Sequence, residues 1–151
     1  MIQRKQTLYL LLALIVTTIC LCLPIGTFVP TGMGVDMPVY NLWVVTPGGH
    51  DFSVWVLFLL LLLTCPITIA AIFLYKNRKV QAKLCLLNIL LMVLWYTFYV
   101  FYALTLGDDL QATFHFEVIA FLPFVALLLY ILARKGILAD EALVRSMDRI
   151  R

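Results

Sequence analysis

Apolar residues are not spread evenly along this chain. They gather in four long runs, residues 7–29, 52–75, 84–106 and 113–133, separated by polar breaks. About 20 residues of helix cross a hydrocarbon core of about 30 Å, and each run reaches or slightly exceeds that length. A segment in lipid must satisfy its amides internally, so it is a helix or part of a closed barrel. Barrel strands alternate apolar and polar residues at period two, which these runs do not. The pattern predicts an all-α membrane protein: a bundle of four transmembrane helices forming a single integral membrane domain over residues 1–151.

The first run begins like a secretory leader, with Arg4 and Lys5 ahead of an apolar core. It is longer than a typical leader core and closes on no small-residue cleavage site. Ile19, immediately before Cys20, is too large for a lipoprotein site. The segment is expected to be retained as a helix.

The breaks have distinct characters. In the first, residues 30–51, Pro30, Gly32, Gly34 and Pro38 signal turns. "VYNLWVV", residues 39–45, is β-branched and aromatic and reads as a strand, with "TFV" before Pro30 as its hairpin partner. A small β-hairpin outer loop is therefore expected. Tyr40 and Trp43 are its candidate partner-binding residues; packing on the rim of the bundle is the competing reading, since Trp and Tyr favour membrane interfaces. At the other end, Gly136 reads as the cap of helix four. The tail, residues 136–151, reads as a short amphipathic C-terminal helix capped by Asp140, with Leu143, Val144, Met147 and Ile150 on one face and Glu141–Arg145 as an i, i+4 pair. Arg145 and Arg149 are candidate contacts for a cytosolic partner.

Composition sharpens the membrane reading. The chain is 64% hydrophobic and 13% charged, whereas a soluble domain is about half apolar and about a quarter charged. Charge placement then orients it. All eleven Lys and Arg lie near the N-terminus, in the 76–83 break or after residue 133, joined there by Asp140, Glu141 and Asp148. The opposite side carries Asp36, Asp51, Asp108, Asp109 and Glu117 and no Lys or Arg. Cytoplasmic loops of membrane proteins carry this bias. "YKNRKVQAK", residues 75–83, is thus expected to be a cytoplasmic turn, and both termini cytoplasmic. The basic turn has no aromatic interleaving and no soluble basic domain around it, which excludes nucleic acid as a partner. Its natural counterpart is the lipid bilayer.

Candidate chemistry is sparse. Cys20, Cys22, Cys65 and Cys85 all fall within apolar runs and read as small hydrophobes rather than a disulfide framework or a thiol-oxidase pair. His50, Asp51, His115 and Glu117 invite a metal or proton-relay reading. If helix four begins near residue 113, however, His115 and Glu117 point roughly 160°–200° apart. Glu117, about one turn into that helix, is then the best candidate ion or proton site, with His115 beside it. Small and polar residues at three- and four-residue steps mark contact faces: Ala13, Thr17 and Cys20; Thr64, Thr68 and Ala71; Cys85, Asn88, Met92, Trp95, Tyr99 and Tyr102. Pro66 and Pro123 are expected to kink helices two and four. No phosphate-binding glycine loop, nucleophile elbow or H-E-x-x-H occurs. No catalytic residue, metal ligand or cofactor site is expected, and the chain does not read as an enzyme.

The opening "MIQRKQTLYLLLA", the stretch "IFLYKNRKVQAKLCLLNILLM" and the ending "DEALVRSMDRIR" resemble an uncharacterised family of four-helix inner-membrane proteins of Gram-negative bacteria, a domain of unknown function. The resemblance spans essentially the whole chain. It implies a multi-pass protein of the inner (cytoplasmic) membrane and brings no activity with it. "NLW", residues 41–43, in a β-containing first loop, also looks like the claudin-type loop signature, without the paired loop cysteines of that type. Together these features lead to the expectation of a non-enzymatic scaffold or accessory subunit that binds another membrane or envelope protein. The alternative is a small transporter or ion-coupled permease using Glu117 and the proline-kinked helices.

Overall fold

The computed structural model describes residues 2–32, 34–75 and 77–148. Helix α1 (Ile2–Cys22) leads into strands β1 (Gly26–Pro30), β2 (Met37–Val39), β3 (Val44–Thr46) and β4 (Gly49–Asp51). Helices α2 (Trp55–Phe73) and α3 (Arg78–Asp109) follow, then β5 (Ala112–Phe116), a 3₁₀ turn (Val118–Phe121) and α4 (Leu122–Asp148). The helices pack as a ring in which α1 touches α2 and α4, and α3 touches the same two.

Each helix is apolar on nearly all sides, so what selects its inner face is size and polarity. Buried positions step by three and four: Leu10, Ala13, Thr17 and Cys20 on α1; Leu57, Leu61, Thr64, Thr68 and Ala71 on α2; Cys85, Asn88, Met92, Trp95 and Tyr99 on α3; Ala126, Tyr130, Ala133 and Ile137 on α4. The three contact faces expected from sequence are these faces, except that Tyr102 is only half-buried. Large aliphatic residues such as Leu11, Ile15, Leu62, Ile69, Leu90 and Leu128 point outward. All four helices are long and apolar enough to cross a membrane, and only about a third or less of each span is buried inside the bundle.

Several boundaries differ from the sequence expectation. Helix α1 stops at Cys22, seven residues short of 29, because the residue before Pro24 is driven out of helical geometry and Pro24 brings no amide. Helix α3 starts at Arg78, so Lys79 and Lys83 ride on its first turns rather than in a loop. It ends where Gln111 adopts a left-handed backbone (φ 46) that turns the chain into β5. Residues 113–116 are therefore strand, not the opening of helix four. Pro123 then sits in the first turn of α4, where a missing amide costs little, and not in a helix interior as expected. Pro66 does lie inside α2.

Gly136 does not cap anything. Helix α4 runs through it, and glycine serves there because a Cβ would press on the Gln6 side chain (3.1 Å to Cγ) where α1 and α4 approach. The expected separate tail helix is the continuation of α4. Asp140 lies buried within it instead of capping a new one.

The expected hairpin is part of a larger construction. An antiparallel five-stranded sheet has the order β4-β3-β2-β1-β5, so β5, from the α3–α4 connection, joins four strands from the α1–α2 connection. The longest pairing runs from Gly26↔Phe116 to Pro30↔Ala112. Gly26 is required here, since a Cβ would fall inside the Phe114 ring. Gly26→Ala should lower stability by about 1–3 kcal/mol through overpacking, measured by denaturant unfolding in mixed micelles. In a Phe114→Ala background the added cost should disappear; an equal cost in both backgrounds would mean the ring is not the obstacle.

Candidate functional site

The sheet closes one end of the bundle, and one residue does most to fasten it there. Asn41, between β2 and β3, is fully buried. Its Nδ2 donates to the Cys20 carbonyl (2.7 Å), and its Oδ1 accepts from Trp95 Nε1 (3.1 Å). Its main-chain carbonyl accepts from the Phe58 amide (3.1 Å). Cys20 is in the last turn of α1 and Phe58 in the first turn of α2, where helices leave carbonyls and amides without intrahelical partners. A carboxamide offers a donor and an acceptor on one short arm; Asp could not donate to the carbonyl and Leu could do neither.

Aromatic hydroxyls on α3 and its neighbours complete the attachment. Tyr99 Oη donates to the Ile25 carbonyl (2.7 Å), and Tyr96 Oη to the Ala120 carbonyl (2.8 Å). Trp95 and Tyr99 stack with centroids 4.9 Å apart. Tyr99 also meets the edges of Phe114 and Phe116 from β5. The aromatic end of the contact face expected on α3 is thus core, with Trp95 and Tyr99 spent on holding the sheet.

Deeper in the bundle, Thr68 is a hub. Its hydroxyl donates to the Thr64 carbonyl (2.7 Å), which uses its only proton. It must then accept from Tyr130 Oη (2.7 Å) and from Asn88 Nδ2 (3.0 Å), joining α2, α4 and α3. Towards the far end, Gln81 Nε2 donates to the Ala71 carbonyl (2.9 Å) and Gln6 Nε2 to Asp140 Oδ2 (2.6 Å). Arg78 reaches the Asp140 carbonyl (3.2 Å). These interior polar groups are largely engaged with one another.

On the sheet's outer side, Trp43 centres an aromatic cluster with Tyr40 (5.6 Å between centroids), His50 (5.4 Å) and Phe52 (6.2 Å). Tyr40 and Trp43 are half-buried, while His50, Asp51 and Phe52 are exposed. Asp51 accepts from the Ser53 amide (3.1 Å) and hydroxyl (3.2 Å), bracing the approach to α2.

His115 and Glu117 are not on helix four. His115 is in β5 opposite Thr27, and Glu117 follows in extended backbone (φ −90, ψ 152). Both are exposed. Glu117 Oε1 accepts from Thr27 Oγ1 (3.4 Å) at the sheet's rim. Because a strand repeats every two residues, His115 and Glu117 share a side with exposed Thr113 instead of pointing apart. Alternation from Ala112 to Glu117 was visible in "ATFHFE" and was the signal for a strand. His50 and Asp51 lie on β4, at the opposite edge of the sheet from β5, so the two His–carboxylate groups do not form one site. Among the described residues no three His, Cys, Asp or Glu gather as a metal site would require. The Arg145 side chain and the whole of Arg149 lie outside the described residues.

Sequence reasoning missed Asn41, whose neighbours Tyr40 and Trp43 drew the attention. A lone polar residue flanked by Tyr, Leu and Trp in a strand-like run was its available signal.

The family model described as Domain of unknown function (DUF4293) matches residues 2–150. No curated protein matches the chain.

Asn41→Leu should cost about 2–4 kcal/mol, since it strands the Cys20 carbonyl and the Trp95 N–H in an apolar setting. Trp95→Phe removes one of those stranded groups, so the double variant should lose less than the sum of the singles, by about 1 kcal/mol. Unfolding in mixed micelles measures this; strict additivity would deny the Asn41–Trp95 bond its role.

Proposed function

The chain belongs to the DUF4293 family, a domain of unknown function, and from that premise we propose that it is an integral inner-membrane protein with both termini cytoplasmic. Its work is non-enzymatic: the outer sheet is a docking platform for another membrane or envelope protein. The membrane half of this reading is supported by four apolar spans and by the charge division along the chain. Lys5, Arg78, Lys79, Lys83, Arg134 and Lys135 sit toward the end away from the sheet, while Asp36, Asp51, Asp108, Asp109 and Glu117 sit at the sheet end.

The observation that carries the docking half is the sheet itself. Two connections that need only link helices instead combine into five strands and are pinned to the bundle by Asn41, Tyr96 and Tyr99. Edge strands offer unpaired amides and carbonyls that recruit another strand. Strand β4 is exposed at every residue and lies beside the Trp43 cluster, which provides rigid aromatic contact area. Tyr40 and Trp43 are the outer contacts in this reading, and Arg145 and Arg149 the cytoplasmic ones. The permease alternative has less to rest on, because Glu117 lies exposed at the sheet rim and not within the bundle.

Two measurements test the proposal. A membrane-impermeant thiol reagent added to intact cells should label Gly48→Cys and spare Asn77→Cys; the reverse pattern would invert the topology. A photo-crosslinking residue at position 50 should trap a second protein in native membranes. Recovery of a lone monomer under several gentle extraction conditions, with no adduct, would overturn the docking role.

A further inference from the structure

Arg134 stands apart from the other cations. It is half-buried on α4, within electrostatic reach of Cys85 on α3. Its Nε is buried and has no hydrogen-bond partner. The nearest carboxylate on its own helix toward the basic end is Asp140, six residues on. Asp140 is buried, takes the Gln6 amide on its side chain and takes Arg78 on its carbonyl. Glu141, one residue on, has an interaction of its own. Charge held partly among apolar helices is unfavourable without a counter-ion, so an anion at the remaining guanidinium nitrogens would be favoured.

The surroundings identify its chemistry. Arg134 lies twelve residues from the start of α4, about 18 Å along the helix axis by the helical rise. In a core of about 30 Å that places its Cα some way above the basic-side boundary, and a long side chain can reach a headgroup from there. Leu86 and Leu90, one turn apart on α3 in the direction of the sheet, are exposed, an apolar surface suited to an acyl chain. Lys79, Lys83 and Lys135 are exposed at the same end and add positive potential. Arg78, whose guanidinium reaches Asp140 across the α3–α4 seam, shows the two helices to be close there. A guanidinium matches two oxygens of a phosphate at once, which an ammonium cannot do.

We propose that Arg134 binds the phosphate of an anionic phospholipid of the cytoplasmic leaflet, with the lipid seated along the α3–α4 seam and its chain running toward the sheet end against Leu86 and Leu90. The inference rests on the membrane reading above. It is independent of the docking partner.

The test uses the full chain extracted in mild detergent and examined by native mass spectrometry during titration with phosphatidylglycerol or phosphatidylcholine. The wild type should retain one phosphatidylglycerol at least about tenfold more tightly than phosphatidylcholine. Arg134→Gln should abolish that preference, Arg134→Lys should keep part of it, and Lys135→Gln should change it no more than about twofold. Ten-millimolar-scale inorganic phosphate should not displace the lipid; displacement would reassign the site to free phosphate. Equal retention of both lipids by the wild type, or an unchanged preference in Arg134→Gln, would overturn the proposal. Should Arg134→Gln fail to fold, the wild-type preference and the Arg134→Lys intermediate value still decide. A chain that needs no detergent at all would instead defeat the membrane reading, a result distinguishable from loss of lipid preference.

Discussion

Helix ends surrounded by apolar residues cannot be left with bare amides and carbonyls, and this constraint organises the sheet end of the molecule. Four helix termini converge there with little water-like surface between them. The chain meets the requirement with Asn41, which takes a carbonyl from the last turn of α1, an amide from the first turn of α2 and the Trp95 N–H of α3. Tyr96 and Tyr99 do the same for carbonyls at Ala120 and Ile25. Once those groups are matched, β1 and β2 are held at a fixed height above the bundle, and β5 can pair with β1 along its full length. The sheet is thus a consequence of how the helix ends are satisfied.

Below the sheet the bundle reverses the arrangement of a water-soluble domain. Buried threonine, asparagine, glutamine and tyrosine face inward, while many leucines face outward. Inward polar groups are useful when the outside offers no hydrogen bonds, because they give helices of nearly uniform apolarity a reason to prefer one face. Thr68 shows the economy of this: one hydroxyl joins three helices with no charge involved. Among the described residues the buried side-chain atoms left unmatched are Asn88 Oδ1 and Arg134 Nε. The first belongs to a neutral amide already bonded on its other side, and the second to a charge.

The two ends therefore suit different company. The sheet end is acidic and edged by an open strand, and the proposed docking role rests on these features. The basic end presents cations around an apolar seam, which favours anionic lipid. The titratable groups on the sheet are exposed and divided between its two edges.

Residue spacing by itself determined the four helices, the inner faces of three of them and the division of charge. Length and apolarity act locally, and small or polar residues at three- and four-residue steps define a face whatever the neighbours are. The sheet's true extent, the strand at 112–116, the unbroken passage of α4 through Gly136 and the role of Asn41 were decided only by tertiary structure. Each depends on a partner distant along the chain: β5 needs β1, Gly136 needs Gln6, and Asn41 needs Cys20, Phe58 and Trp95 together. Local pattern records what a segment prefers, while a hydrogen bond between segments is settled only when packing brings both ends into reach.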